Sequence, residues 1–153
     1  MTEATEEDHK AYPGELATPE DIRRLAAEYQ KAAHYLLEFG QRGNPLSRAP
    51  YRLSAIHAIE LYLNALLLHK GHKASRVRGL QHDLAARVDL AITSGLQLRI
   101  RTLAHLHTIT VNREYLVTRY GPEMTATTSQ IDRLTATLEE VAAKITAIVI
   151  TKQ

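Results

Sequence analysis

The chain has 153 residues, 17 acids against 19 lysines and arginines, and no cysteine or tryptophan. That length suits one domain able to bury a sizeable core, and the missing cysteines remove disulfides, thiolate metal sites and cysteine nucleophiles. No apolar run of about 18 residues passes without polar interruption, and the first residues, MTEATEEDHK, are acidic rather than a basic-then-apolar leader. The expectation is a soluble cytoplasmic protein without a membrane partner. The small net charge hides an asymmetry: residues 1–30 hold eight acids and three bases, and the rest holds nine acids and sixteen bases. A body positive by about seven charges favours an anionic partner in a general way.

Residues 1–17 are polar, acidic and broken by Pro13-Gly14, which predicts a mobile tail ahead of a single domain over residues 18–153. Thr18, Pro19, Glu20 and Asp21 then make a strong helix start. Ile22, Leu25, Tyr29, Ala32 or Ala33, and Leu36 give that helix one apolar face, and Gly40 stops it. The linker QRGNPLSRAP is turn chemistry. It leads into YRLSAIHAIELYLNALLLHKG, residues 51–71, which is apolar almost all round a helical wheel. Such a helix belongs at the centre of a bundle. Only Ser54, His57, Glu60 and Asn64 interrupt it, as one narrow polar stripe. A basic irregular stretch, HKASRVRGLQ, follows. The spacing then predicts helices over residues 80–93, 96–120 and 129–151, the last with a heptad-like seam of Ile131, Leu134, Leu138, Val141, Ile145 and Ile148. No stretch alternates as a strand does. The predicted fold is an all-α, up-and-down helical bundle of about five helices.

Several side-chain groupings are candidates for chemistry. On a continuous helix over residues 96–120, Arg101, His105, Thr108, Asn112, Tyr115 and Arg119 share a sector of about 80°. They are either the solvent face of an amphipathic helix or a phosphate-gripping face with a histidine for proton transfer. In the central helix Glu60 is costly to bury unpaired, so an internal clasp of His57 and Glu60 with His82-Asp83 or Arg113 competes with a ligand-binding role. Lys70, Lys73, Arg76 and Arg78, with His69 and His72, form a basic segment able to meet phosphates or simply to stay solvated. No HExxH is present, so no native metal site is expected, and GxGxxG, P-loop and GxSxG signatures are missing, so no cofactor is called for.

The order AIHAIELYLNALLLHKG, a basic loop, GLQHDLAARVDLAITSGL and REYLVTRYGPE resembles the HEPN family of small prokaryotic helical proteins. That family carries an A-x-E-x-x-L-K-A-x-L helix, a G-H-D-L helix start and a late R-Y-P motif. The matching positions are residues 58–67, 81–84 and 119–122. The resemblance implies a four- to five-helix bundle, a homodimer, and association with RNA or nucleotide. Many members are metal-independent ribonucleases of toxin–antitoxin or defence systems, so a cognate antitoxin or nucleotidyltransferase is an implied partner. Their active motif is an arginine followed after four to six residues by a histidine, paired across the dimer. Here Arg99–His105 and Arg101–His107 meet that spacing, with Ile100 and Thr102 in place of the usual polar follower. Asn64 replaces a frequent lysine, and Gly121 is inserted before Pro122. Three readings stand: an RNA- or nucleotide-associated binding module, an endoribonuclease using these pairs, and a structural helical protein that dimerises or docks through the last helix's seam.

Overall fold

The computed structural model of the chain describes residues 10–150. Among them the backbone forms seven α-helices, two short 3-10 turns and no strand, so the all-α expectation holds. The helices are α1 (Pro19–Phe39), α2 (Ala49–His69), α3 (Ala74–Gly79), α4 (Leu84–Thr93), α5 (Ile100–Val111), α6 (Glu114–Tyr120) and α7 (Ile131–Ile150). The 3-10 turns are Pro45–Arg48, leading into α2, and Pro122–Thr127, following α6. Of the predicted tail, residues 1–9 lie outside the described residues, and residues 13–16 form a turn.

α2 is the axis of the bundle. It packs most extensively on α1 and α7 and also touches α4 and α6. Ile59, Leu63, Leu66 and Leu67 are fully buried, each side chain worth about 1.5–3 kcal/mol of transfer free energy. α1 starts as its sequence predicts: Thr18 Oγ1 accepts from the Asp21 N–H at 3.0 Å, and Asp21 Oδ2 accepts from the Thr18 N–H at 3.0 Å. Its contact with α2 runs through Ala26 and Ala33, both fully buried, because small side chains let the two backbones approach. The larger residues of the predicted face flank that line instead. Ile22 and Leu36 are half-buried, while Leu25 and Tyr29 are exposed. The seam of α7 is spent inside the chain, with Leu134, Leu138, Val141 and Ile145 fully buried, so it is core and not a free docking edge.

Two expected elements differ. The predicted helix over residues 96–120 is two helices, because Arg113 adopts the left-handed conformation at φ 51°. Asn112 caps α5, its N–H donating to Thr108 O, and α6 leaves in a new direction. No glycine or proline marks this break. What the turn achieves is to swing Glu114 inward, where it is fully buried. The basic stretch after α2 contains a further helix, α3, and the helix predicted from residue 80 begins only at Leu84, with Asp83 as its cap. These two changes raise the expected five helices to seven.

Candidate functional site

The arginine–histidine pairs on α5 do not converge. Arg99 is the exposed N-cap of α5, and its backbone N–H donates to Glu140 Oε2 at 2.8 Å. Arg101 is also exposed. His105, one turn further along, lies in the seam between α5 and α7 and is only 7 % exposed. His107 is held by Asp89, 2.9 Å from its Nε2. The break at Arg113 also dissolves the shared polar sector. Asn112 reaches the carbonyl of Thr127 at 3.4 Å, Tyr115 packs its ring on that of His82 with centroids 4.9 Å apart, and Arg119 is exposed in the last turn of α6.

His105 belongs to a buried polar track. Glu114 accepts from the backbone N–H of Ser129 at 2.7 Å and from its hydroxyl at 2.6 Å. A carboxylate only accepts, so the Ser129 proton is committed to Glu114 and His105 Nε2, 2.7 Å from Ser129 Oγ, must donate. The neutral ring then accepts at Nδ1 from Thr137 Oγ1 at 2.6 Å. Burial, reinforced by the nearby Arg133 charge, holds His105 down to about 4, so this neutral tautomer persists at physiological pH. The carbonyl of Ser129 accepts from Arg52 Nη1, which ties α2 into the same track. One turn away Glu140 accepts from Thr102 at 2.6 Å and from Lys144 at 2.8 Å. Burial is the largest influence on Glu140 and opposes ionisation. The bonds from Lys144, Thr102 and the Arg99 backbone outweigh it and hold the carboxyl down to about 2.

The polar stripe of α2 is open on one side. His57 stands edge-on to Tyr29, centroids 4.5 Å apart, and its burial lowers its pKa. Glu60 Oε1 accepts from His82 Nδ1 at 3.0 Å, and Asn64 Oδ1 accepts from Arg87 Nε at 2.7 Å. Asp83 does not join this clasp; its carboxylate caps α4 by accepting from the Ala86 N–H at 2.9 Å. Arg113 makes no bond to Glu60 and instead lines a cleft on the far side of His82. Arg87 is 2 % exposed and also donates to the carbonyls of Asp83 and Val77. Above Glu60 and Asn64 lies a groove of about 580 Å³ with apolar walls from Ile22, Leu25, Leu61, Leu68 and Val77. The 12–15 segment borders it, and the Arg78 guanidinium lies 4.2 Å above the Tyr12 ring.

The basic residues stay at the surface. Lys70 caps α2, Lys73 caps α3, and Arg76 and Arg78 lie on α3; all four are exposed. None has a carboxylate partner within 4.0 Å among the described residues. Among the same residues no three His, Asp or Glu side chains cluster as metal ligands, and no helix is long and apolar enough to cross a membrane. Sequence reasoning missed Arg52, Arg87, Glu114, Ser129 and Thr137. The signals were faint: Arg87 and Thr137 stand three residues after Leu84 and Leu134, on the apolar sides of α4 and α7. Compared with protein-family models, curated proteins and solved structures, the chain matches none.

Proposed function

We propose that this chain is a non-catalytic helical binding module that associates with RNA or nucleotide phosphates through Lys70, Lys73, Arg76 and Arg78. The observation carrying this reading is that four exposed cations within nine residues of chain lack carboxylate partners among the described residues. Cations left unpaired at a surface are free to replace the counterions of a phosphate chain, and the binding that results weakens with salt. The HEPN-like order of motifs supports the same ligand class. The ribonuclease reading lacks a comparable observation. Within one chain His105 is buried with both ring nitrogens bonded, and His107 is engaged by Asp89. A homodimer is part of the proposal. Its surface is the exposed apolar edge of α1, where Leu25, Tyr29 and Phe39 follow at heptad-like steps and Phe39 is 76 % exposed.

Fluorescence anisotropy with a short single-stranded RNA at low salt tests the binding reading. Lys73→Glu/Arg76→Glu should weaken binding roughly tenfold or more and flatten its salt dependence. No binding by the folded wild type, or equal binding by the variant, sinks the assignment. Cleavage in EDTA that disappears in His107→Ala would move the chain to the nuclease class. A monomer at tens of micromolar by sedimentation would remove the dimer alone.

A further inference from the structure

We infer that the groove above Glu60 and Asn64 is a base-binding site, and that it takes the guanine of a nucleotide whose phosphate meets Arg78. The inference rests on the phosphate-binding reading for its ligand class and adds the base. One residue joins the two: Arg78 belongs to the basic segment and also lines the groove, with Ala74 and Val77 of the same helix. The Tyr12 ring covers one face of its guanidinium at 4.2 Å, which leaves the N–H edge for a phosphate. A phosphate held there places its own base within reach of the groove, whose volume of about 580 Å³ has room for a base and its ribose. Ile22, Leu25, Leu61 and Leu68 supply apolar walls for the faces of the ring.

The polar floor narrows the choice of base. The other charged groups around the groove are engaged. Glu15 accepts from the Tyr12 N–H at 3.0 Å, and Arg87 donates to Asn64 and to the carbonyls of Asp83 and Val77. His82 donates from Nδ1 to Glu60 Oε1, because a carboxylate only accepts. What remains is one acceptor and one donor, a helical turn apart on α2. Glu60 Oε2 and Asn64 Nδ2 have no hydrogen-bond partner among the described residues, and the bond from Arg87 to Asn64 Oδ1 fixes which end of the amide is left over. Neither atom is sealed from solvent: among the described residues the buried side-chain atoms without a partner are Arg52 Nε and Arg133 Nε. A carboxylate pairs best with adjacent N–H groups, and guanine presents two, N1–H and N2–H, beside the acceptor O6. Glu60 accepts from the two N–H groups and Asn64 Nδ2 donates to O6. Adenine and cytosine set a ring-nitrogen lone pair against the carboxylate, and uracil flanks its single N–H with two carbonyl oxygens. Each leaves Glu60 repelled or unmet, which is how a polar site rejects a near-analogue.

Isothermal titration of the full chain with GMP, AMP, CMP and UMP tests the base, and titration with guanosine tests it without the phosphate. GMP should bind saturably and roughly tenfold or more tighter than the other three. IMP, which lacks the N2 amino group, should bind roughly fivefold or more weaker than GMP, a comparison that needs no variant. Glu60→Gln, which keeps an acceptor for His82, should retain the wild-type circular dichroism spectrum and lose the preference for GMP. Arg78→Gln should weaken all four nucleotides alike and leave guanosine unchanged. Equal binding of GMP and AMP, equal binding of GMP and IMP, absence of saturable binding by both GMP and guanosine, or a GMP preference undiminished in Glu60→Gln overturns the site. The phosphate reading stands or falls separately, on RNA anisotropy. RNA binding that depends on Lys73 and Arg76, without a preference for GMP, removes the groove alone. Guanosine binding that depends on Glu60, without RNA binding, removes the basic segment's role and upholds the guanine site.

Discussion

Two polar tracks run along this bundle with similar side chains and opposite characters. The track between α5 and α7 joins Arg52, Ser129, Glu114, His105 and Thr137, and every donor on its serine, histidine and threonine is accounted for. The track on α2 pairs Glu60 with His82 and Asn64 with Arg87, and opens onto a groove. Histidine and glutamate appear in both. In the first they are locked, because low dielectric makes an unmet polar group expensive and a satisfied network rigid. In the second, His82 has 46 % of its side chain exposed, and water stands in for any lost partner. Residue type therefore does not decide how rigidly a track is held. Access to solvent does.

The largest test of this contrast is Glu114→Ala. It strands the Ser129 N–H and hydroxyl and deprives buried Arg52 of the one acid in its field, so the loss should be about 3–5 kcal/mol by urea unfolding. A loss under about 1 kcal/mol would mean that the buried track tolerates vacancies as the surface track does, and the contrast would fall. The next test is pH. The folded pKa of His105, about 4, lies below the ordinary 6.5, so between those values the unfolded chain binds the extra proton. The His105 contribution is complete above about pH 6.5, shrinks as pH falls to about 4, and is constant below that. By linkage it amounts to about 3 kcal/mol. Glu140 gives the same sign in a lower window, as pH drops from 4.5 towards about 2. Unfolding in urea at successive pH values checks both. His105→Gln should remove the upper step and spare the lower one, and an unchanged upper step would assign it to another group.

The central helix, the start of α1 and the seam of α7 were legible because each is a local pattern: an all-round apolar run, a threonine cap followed by proline and two acids, and a heptad-like spacing. The clasp of Glu60 with His82 was legible too, since a lone acid in an apolar helix has to find a donor. The break at Arg113 was not. Nothing in the sequence around Asn112-Arg113 carries the glycine that a left-handed residue usually requires, and the periodicity runs on past it. The turn is fixed by Glu114 reaching Ser129, fifteen residues away, which no local pattern encodes. Missing that turn put Tyr115 and Arg119 on one face with Arg101 and His105; within α5 it is packing on α7 that buries the histidine and leaves the arginine, one turn earlier, outside.

Smaller substitutions sharpen the comparison. Glu60→Gln keeps an acceptor for a histidine that is half in water, so its cost should be about 1 kcal/mol or less, well below that of Glu114→Ala. A loss as large as that of Glu114→Ala would show that the groove side is as tightly coupled as the buried seam. Arg113→Gly has the smallest expected effect and the opposite sign. At φ 51° an arginine is held in a conformation that costs roughly 1–2 kcal/mol relative to the ordinary helix region. Glycine removes that strain and gives back part of the gain through a freer unfolded chain, leaving a net stabilisation of about 0.5–1 kcal/mol. Thermal unfolding should register this as a rise of a few degrees with no change in the pH step of His105, since the Glu114–Ser129 bonds are untouched. A destabilisation instead would show that the Arg113 side chain, and not the buried carboxylate behind it, holds the turn between α5 and α6.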